Sequence, residues 1–412
     1  MIRDFSSHFI RAWNEASVEL PASQKNYSDF EKSSKENSMN LFLQSVKQIR
    51  KKRKLKLEIT TEDEERFFTD TRLFFKNALD FDESQVSFLF SEEMINVTRA
   101  FVYEARKFDS SLPFSDIFQA LRNAWIMFGV QIIFGQSVAM TPSVFAYSML
   151  YPYTDNLIDD PSISEIEKIA FSCRFRDRLS GIMVQPLSKT ESTIYALVEM
   201  IEMEFSRDKN PEVFESLLAI HDAQTASLLL IDAQNTVSEE DSLSICIRKG
   251  GTSVLADGYL VTGKLSEEQQ FFLYGYGAYL QMLDDIQDVE DDLSSGLKTY
   301  FARDIESCLL DWKVRKTYQF GEFVLESLDA AGEKFVDLFK ALIRRSIDLF
   351  VAEAIAQNPE IYSHEFTELF EKRSPFSFSY IRNLNSRFSA YHGFLVTAAK
   401  EIALPRLMDV SA

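Results

Sequence analysis

"LQMLDDIQDVEDDLSSGLK", residues 280–298, closes an apolar, aromatic segment with a run of carboxylates. Asp284, Asp288 and Asp292 recur every four residues. On a helix that spacing stacks them on one face, with Asp285 beside the first and Glu290 and Asp291 turned elsewhere. Like charges at i, i+4 destabilise a helix by roughly a few tenths of a kcal/mol per pair. Such a row is disfavoured unless cations bind it. It holds no His or Cys, so a hard cation such as Mg²⁺ suits it better than Zn²⁺. An EF-hand is excluded, because the glycine required at the sixth loop position is missing in every register.

A second acidic cluster lies upstream in "MLYPYTDNLIDDPS", residues 149–162. Asp155 and Asp159 again stand at i, i+4, with Asp160 adjacent. Thr141 and Pro142 supply a helix start, Pro161 a stop, and Pro152 is expected to kink the helix just before the acids. Two short carboxylate rows on facing helices suit several Mg²⁺ ions bridged by a diphosphate.

The whole chain supports long helices. Its 412 residues contain only 13 Gly and 10 Pro, too few for the frequent turns of a β-sandwich. No strand-period segment or repeat of fixed length stands out, and residues 62–412 contain no Pro/Gly-rich linker. The expected class is all-α. Residues 1–60 read as a partly basic N-terminal extension and 61–412 as one large helical domain. Apolar residues make up 46% of the chain, with 36 Phe and 15 Tyr, which points to an aromatic core or an aromatic-lined cavity.

Charge and cysteine usage narrow the partners. A net charge of −19 argues against nucleic acid, which demands a positive footprint. Cys173, Cys246 and Cys308 are well separated, and the start "MIRDFSSHFIRAW" carries charges where a signal peptide is apolar. A cytoplasmic location is expected. "AWIMFGVQIIFGQSVAM" is interrupted by Gln131 and Gln136 and reads as a buried core helix rather than a membrane span. "KQIRKKRKLKLE" reads first as a solvated helix face. Peripheral contact with an anionic membrane is the alternative. A homodimer is compatible with this reading.

The two acidic motifs resemble those of the class I isoprenoid synthases. "DNLIDD" is similar to the DxxxDD first motif of squalene and phytoene synthases, and "YTDNLIDD" to that of the bacterial large terpene synthases. "LQMLDDIQD" resembles the QxxDDxxD second motif of trans-prenyltransferases, and Asp284, Asp288 and Asp292 match the spacing of the terpene-cyclase metal triad. The resemblance covers roughly residues 115–300. It implies a barrel-like helical bundle with a central apolar cavity, three Mg²⁺ ions and a linear prenyl diphosphate substrate. It implies metal ligands among Asp155, Asp159, Asp160, Asp284, Asp285, Asp288 and Asp292. Of these, Asp155, Asp159, Asp284 and Asp288 are the principal catalytic candidates.

In "DDLSSGLK", Lys298 takes the place of a diphosphate-binding lysine of the prenyltransferases. "RKGGTSVLADGYL" resembles their Lys-Thr segment, which makes Arg248 and Lys249 candidate clamps. Its glycines are expected to open a helix break facing a carbocation. Tyr147, Tyr151, Tyr276 and Tyr279 are candidate cavity walls, with Phe145, Tyr274, Phe388 and Tyr391 as further aromatic candidates. His221, Asp222 and Gln224 read as satisfied polar residues or deprotonating groups. The Gly-Lys-x-x-Arg and Arg-Arg-Gly marks of chain elongation are missing, as is a GxGxxG fingerprint. The resemblance therefore implies a lyase of isoprenoid biosynthesis, a terpene cyclase, with coupling of two prenyl diphosphates as the alternative.

Overall fold

With few glycines and prolines to stop them, helices dominate the chain. The computed structural model describes residues 3–21, 25–55, 57–159, 162–231, 237–303, 305 and 309–388. Among these the fold is all-α, without a strand. In chain order the helices are α1 (Ser6–Glu15), α2 (Asp29–Lys54), α3 (Thr61–Asn77), α4 (Glu83–Leu89), α5 (Glu92–Phe108) and α6 (Phe114–Ile133). Then come α7 (Pro142–Asp159), α8 (Glu165–Leu179), α9 (Lys189–Glu204), α10 (Pro211–Ser227), α11 (Glu239–Thr262) and α12 (Glu267–Gln287). The last are α13 (Val289–Ser295), α14 (Asp311–Ala331), α15 (Val336–Gln357), α16 (His364–Arg373) and α17 (Phe378–Phe388). None is long and apolar enough to cross a membrane among the described residues.

Contacts divide the chain into two units, Met1–Pro21 with Gln119–Val336, and Ala22–Phe118 with Asp337–Ala412. Phe9 and Trp13 of α1 are fully buried, and Trp13 Nε1 donates to the Tyr300 hydroxyl at 3.1 Å. In α2, Met39, Phe42, Leu43, Val46 and Ile49 form a buried stripe at helical spacing. Polar residues between them masked that period. In the second unit, Phe42 stacks on Phe74 with centroids 4.5 Å apart. The basic end of α2 is mostly exposed, with Lys52 paired to Asp63 of the α3 capping box.

The first unit is built on α11 and α12, which cross in close contact. A Cβ added at Gly250 would lie 2.2 Å from the Gly277 carbonyl oxygen, and one at Gly277 2.0 Å from that of Gly250. Only two glycines allow backbones this near. The helix break expected in "KGGTSVLADGYLVTG" does not occur. α11 runs unbroken through Gly250, Gly251 and Gly258 and ends at Gly263, whose φ of +73° gives a left-handed cap. α14 packs on α12, α10 on α11 and α7 on α9.

α7 starts at Pro142 as expected, where the Thr141 hydroxyl accepts from the Val144 amide at 3.3 Å, and it continues through Pro152. Gln131, which interrupts the apolar run of α6, brackets the following loop. Its side-chain amide donates to the Ala139 carbonyl at 2.9 Å and its carbonyl accepts from the Ala139 amide at 3.0 Å.

Candidate active site

The second aspartate row sits where α12 gives way to α13. α12 ends at Gln287, and Asp288 is its non-helical C-cap, with φ −94° and ψ 10°. The row is therefore not carried by one continuous helix, as its spacing suggested. The spacing survives all the same. The Asp288 amide donates to the Asp284 carbonyl at 2.9 Å, and the Asp292 amide to that of Asp288 at 2.8 Å.

The carboxylates crowd one another. Partial burial of the Asp288 carboxyl, although the residue as a whole is exposed, combines with Asp284, Asp292 and Asp291 to push it up to about 7, against the pull of Arg122. Asp292 is pushed up to about 6 by burial, although Thr299 Oγ1 donates to it at 2.9 Å and Lys249 pulls the other way. Asp285 is buried and also stands near 6, chiefly through desolvation. Its partners are Lys249, the Gln281 amide at 2.8 Å and the Cys246 thiol. Burial, then the neighbouring Asp285, raises that thiol well above the usual range.

The candidate cations separate. Lys249 acts on Asp285 and Asp292, whereas Arg248 acts on Asp4 and Tyr274. The two neighbours thus serve different surroundings. Lys298 is exposed, and its backbone amide donates to the Leu230 carbonyl at 3.0 Å.

Asp155 and Asp159 occupy the last turns of α7, and their side chains lie outside the described residues, as does Asp160 altogether. The helix register still locates the row. Tyr151 shares a hydrogen bond of 2.7 Å with Ser253 Oγ on α11, and the Ser143 hydroxyl donates to the Leu260 carbonyl at 2.9 Å. α7 and α11 therefore run antiparallel. The backbone of Asp155 lies one turn beyond Tyr151, in the direction in which Lys249 lies one turn back from Ser253.

The aromatic candidates pack closely. The Tyr147 and Tyr151 rings meet edge-on at 5.6 Å, and Tyr276 stacks on Phe272 at 5.6 Å. Tyr279 fills the space above Gly321, where an added Cβ would fall 2.1 Å from its ring. Phe145 is buried, and Tyr274 stacks on Phe9 at 5.8 Å. The Phe388 side chain and Tyr391 lie outside the described residues. His221 meets the Ser172 carbonyl at 3.1 Å, and Asp222 pairs with Arg176 at 3.0 Å, so these groups tie α10 to α8.

Sequence reasoning passed over Arg122, Thr299 and a buried pair, Asn123 with Asp257. Arg122 and Asn123 are adjacent polar residues at the head of the most apolar run, and Asp257 stands alone in "SVLADGYLV". Those interruptions were the available signal.

The donor set fits Mg²⁺: it is all oxygen, with carboxylates driven toward protonation by burial and mutual repulsion. Among the described residues no three His, Cys, Asp or Glu side chains are gathered closely enough to hold a metal ion by themselves.

No family model matches the chain, and no curated protein matches it. A solved structure described as a geranylgeranyl pyrophosphate synthase is similar. It is 15% identical over 74% of this chain and 98% of that one, with a TM-score of 0.35. A likeness at that level carries no argument about chemistry.

Proposed function

We propose that the chain is a Mg²⁺-dependent class I terpene synthase that ionises a linear prenyl diphosphate and cyclises the resulting carbocation. The observation that carries this reading is the Asp284–Asp288–Asp292 row. Its Asp288 and Asp292 carboxyls are pushed up to about 7 and 6, and Lys249 bears on it. A site that crowds its own charges in this way is completed by cations.

Asp284, Asp288 and Asp292 would hold Mg²⁺ from one side and Asp155 and Asp159 from the other, with three ions expected from the motif resemblance. When bound, the metal neutralises charge that develops on departing diphosphate. Lys249 supplies a fixed positive charge at the same end, and Arg122 bears on Asp288. Arg248 and Lys298 are left as groups that could turn to the diphosphate when it binds. Tyr147, Tyr151, Tyr276 and Tyr279 would wall the hydrocarbon part, exclude water and offer π faces to a cation.

The test is direct. Purified protein with Mg²⁺ is given farnesyl, geranylgeranyl and geranylfarnesyl diphosphate singly, and diphosphate and extracted products are measured. A cyclic hydrocarbon or alcohol from one substrate is expected, with Asp155→Ala and Asp284→Ala abolishing Mg²⁺-dependent release. Turnover only after isopentenyl diphosphate is added would replace cyclisation with coupling.

A further inference from the structure

The aspartate rows leave one buried acid unexplained. Asp257 lies in α11 and is fully buried. Its Oδ1 accepts from the Asn123 Nδ2 at 3.1 Å, and its Oδ2 has no hydrogen-bond partner. The same Asn123 amide reaches Ser148 Oγ at 3.2 Å and the Met127 sulfur at 3.6 Å. Desolvation raises the Asp257 carboxyl well above the usual carboxylate range, with the Asn123 hydrogen bond the opposing influence. The carboxyl also pushes the Tyr147 and Tyr276 phenols upward, so both lie near it.

Two consequences follow. Full burial without a counter-charge favours the protonated carboxyl, and because Oδ1 is an acceptor, the proton belongs on Oδ2. An enclosed O–H without an acceptor is unfavourable unless a ligand meets it. Three helices agree on its depth. Asp257 is eight residues past Lys249 on α11, about 12 Å at the helical rise. Ser148 is seven residues before Asp155 on α7, about 10 Å, and Tyr276 is nine before Asp285 on α12, about 13 Å. The group therefore lies well below the aspartate end, at the depth to which the proposed function assigns the hydrocarbon tail rather than the diphosphate.

We propose that Asp257 is the acid–base residue of the hydrocarbon region, protonating a carbon–carbon double bond of a neutral, partly cyclised intermediate and recovering a proton from a later cation. This rests on the function proposed above. The neutral alkene forms when the first cation loses a proton to the departing diphosphate. Its π pair then makes a C–H bond with the Oδ2 proton, while the O–H pair stays on oxygen. A carboxylate and a cation on the neighbouring carbon result. In the closing step a different C–H bond breaks, its pair becomes the new double bond, and its proton returns to the carboxylate.

The experiment is a single turnover in D₂O, with full-length protein equilibrated there and in excess over a prenyl diphosphate. Wild type is expected to give product one mass unit heavier, with deuterium at one carbon. Asp257→Asn, which keeps the shape and the Asn123 contact, is expected to yield an unlabelled alkene. Asp257→Ser serves if that variant does not fold. Unlabelled wild-type product overturns the proposal, as does a variant that still gives labelled product. Diphosphate release, measured alongside, separates the two readings: release without label defeats this inference alone. No release with any prenyl diphosphate defeats the proposed function and this inference with it.

Discussion

At the scale of single residues, Asp285 shows how binding and stability oppose each other. Its folded-state value near 6 stands above the ordinary 3.8, so the folded protein holds this proton more tightly than the unfolded chain. The stability it contributes is complete below about pH 4 and is lost as pH rises through 6. In metal-free protein, Asp285→Asn is expected to be more stable than wild type at pH 7.5 by on the order of 2 kcal/mol. The difference should vanish near pH 4, as urea denaturation at several pH values would show. Lys249→Ala is expected to slow diphosphate release by roughly 100-fold, the scale of losing one preorganised charge partner. The aspartate row was legible because three acids at one spacing form a pattern. Asp257 was not, because one acid in an apolar helix has no period and only its surroundings give it meaning.

At the scale of elements, the α11–α12 crossing makes its own forecast. Gly250→Ala or Gly277→Ala places a methyl against a backbone carbonyl that cannot rotate away. Each should cost about 3 kcal/mol or more and lower the thermal midpoint. Gly296→Ala is the contrasting case: nothing lies within 4 Å, but φ is +75°. The expected loss there is only about 1 kcal/mol, from backbone strain. Glycine in a helical stretch reads equally well as a break or as a close approach. The sequence does not name the facing helix, so the break was the wrong choice here. The interruption at Asp288 escaped for a similar reason, since i, i+4 spacing is indifferent to a local change at a helix end.

For the molecule as a whole, the first twenty residues are part of a core. Trp13→Ala is expected to destabilise the first unit by about 3–5 kcal/mol, read by calorimetry, because a fully buried indole and its bond to Tyr300 are both lost. The all-α class was legible from punctuation and period. The integral role of α1 was not, because its partners are nearly three hundred positions away. That separation bears on how the protein is made. Phe9 closes on the gap at Gly275, and the Lys316 ammonium reaches the Trp13 carbonyl at 3.0 Å. α1 thus waits for helices that are synthesised far later in the chain. Contacts this distant in sequence fold slowly. Until α14 emerges, Phe9 and Trp13 remain exposed apolar surface, the kind that nascent-chain chaperones bind.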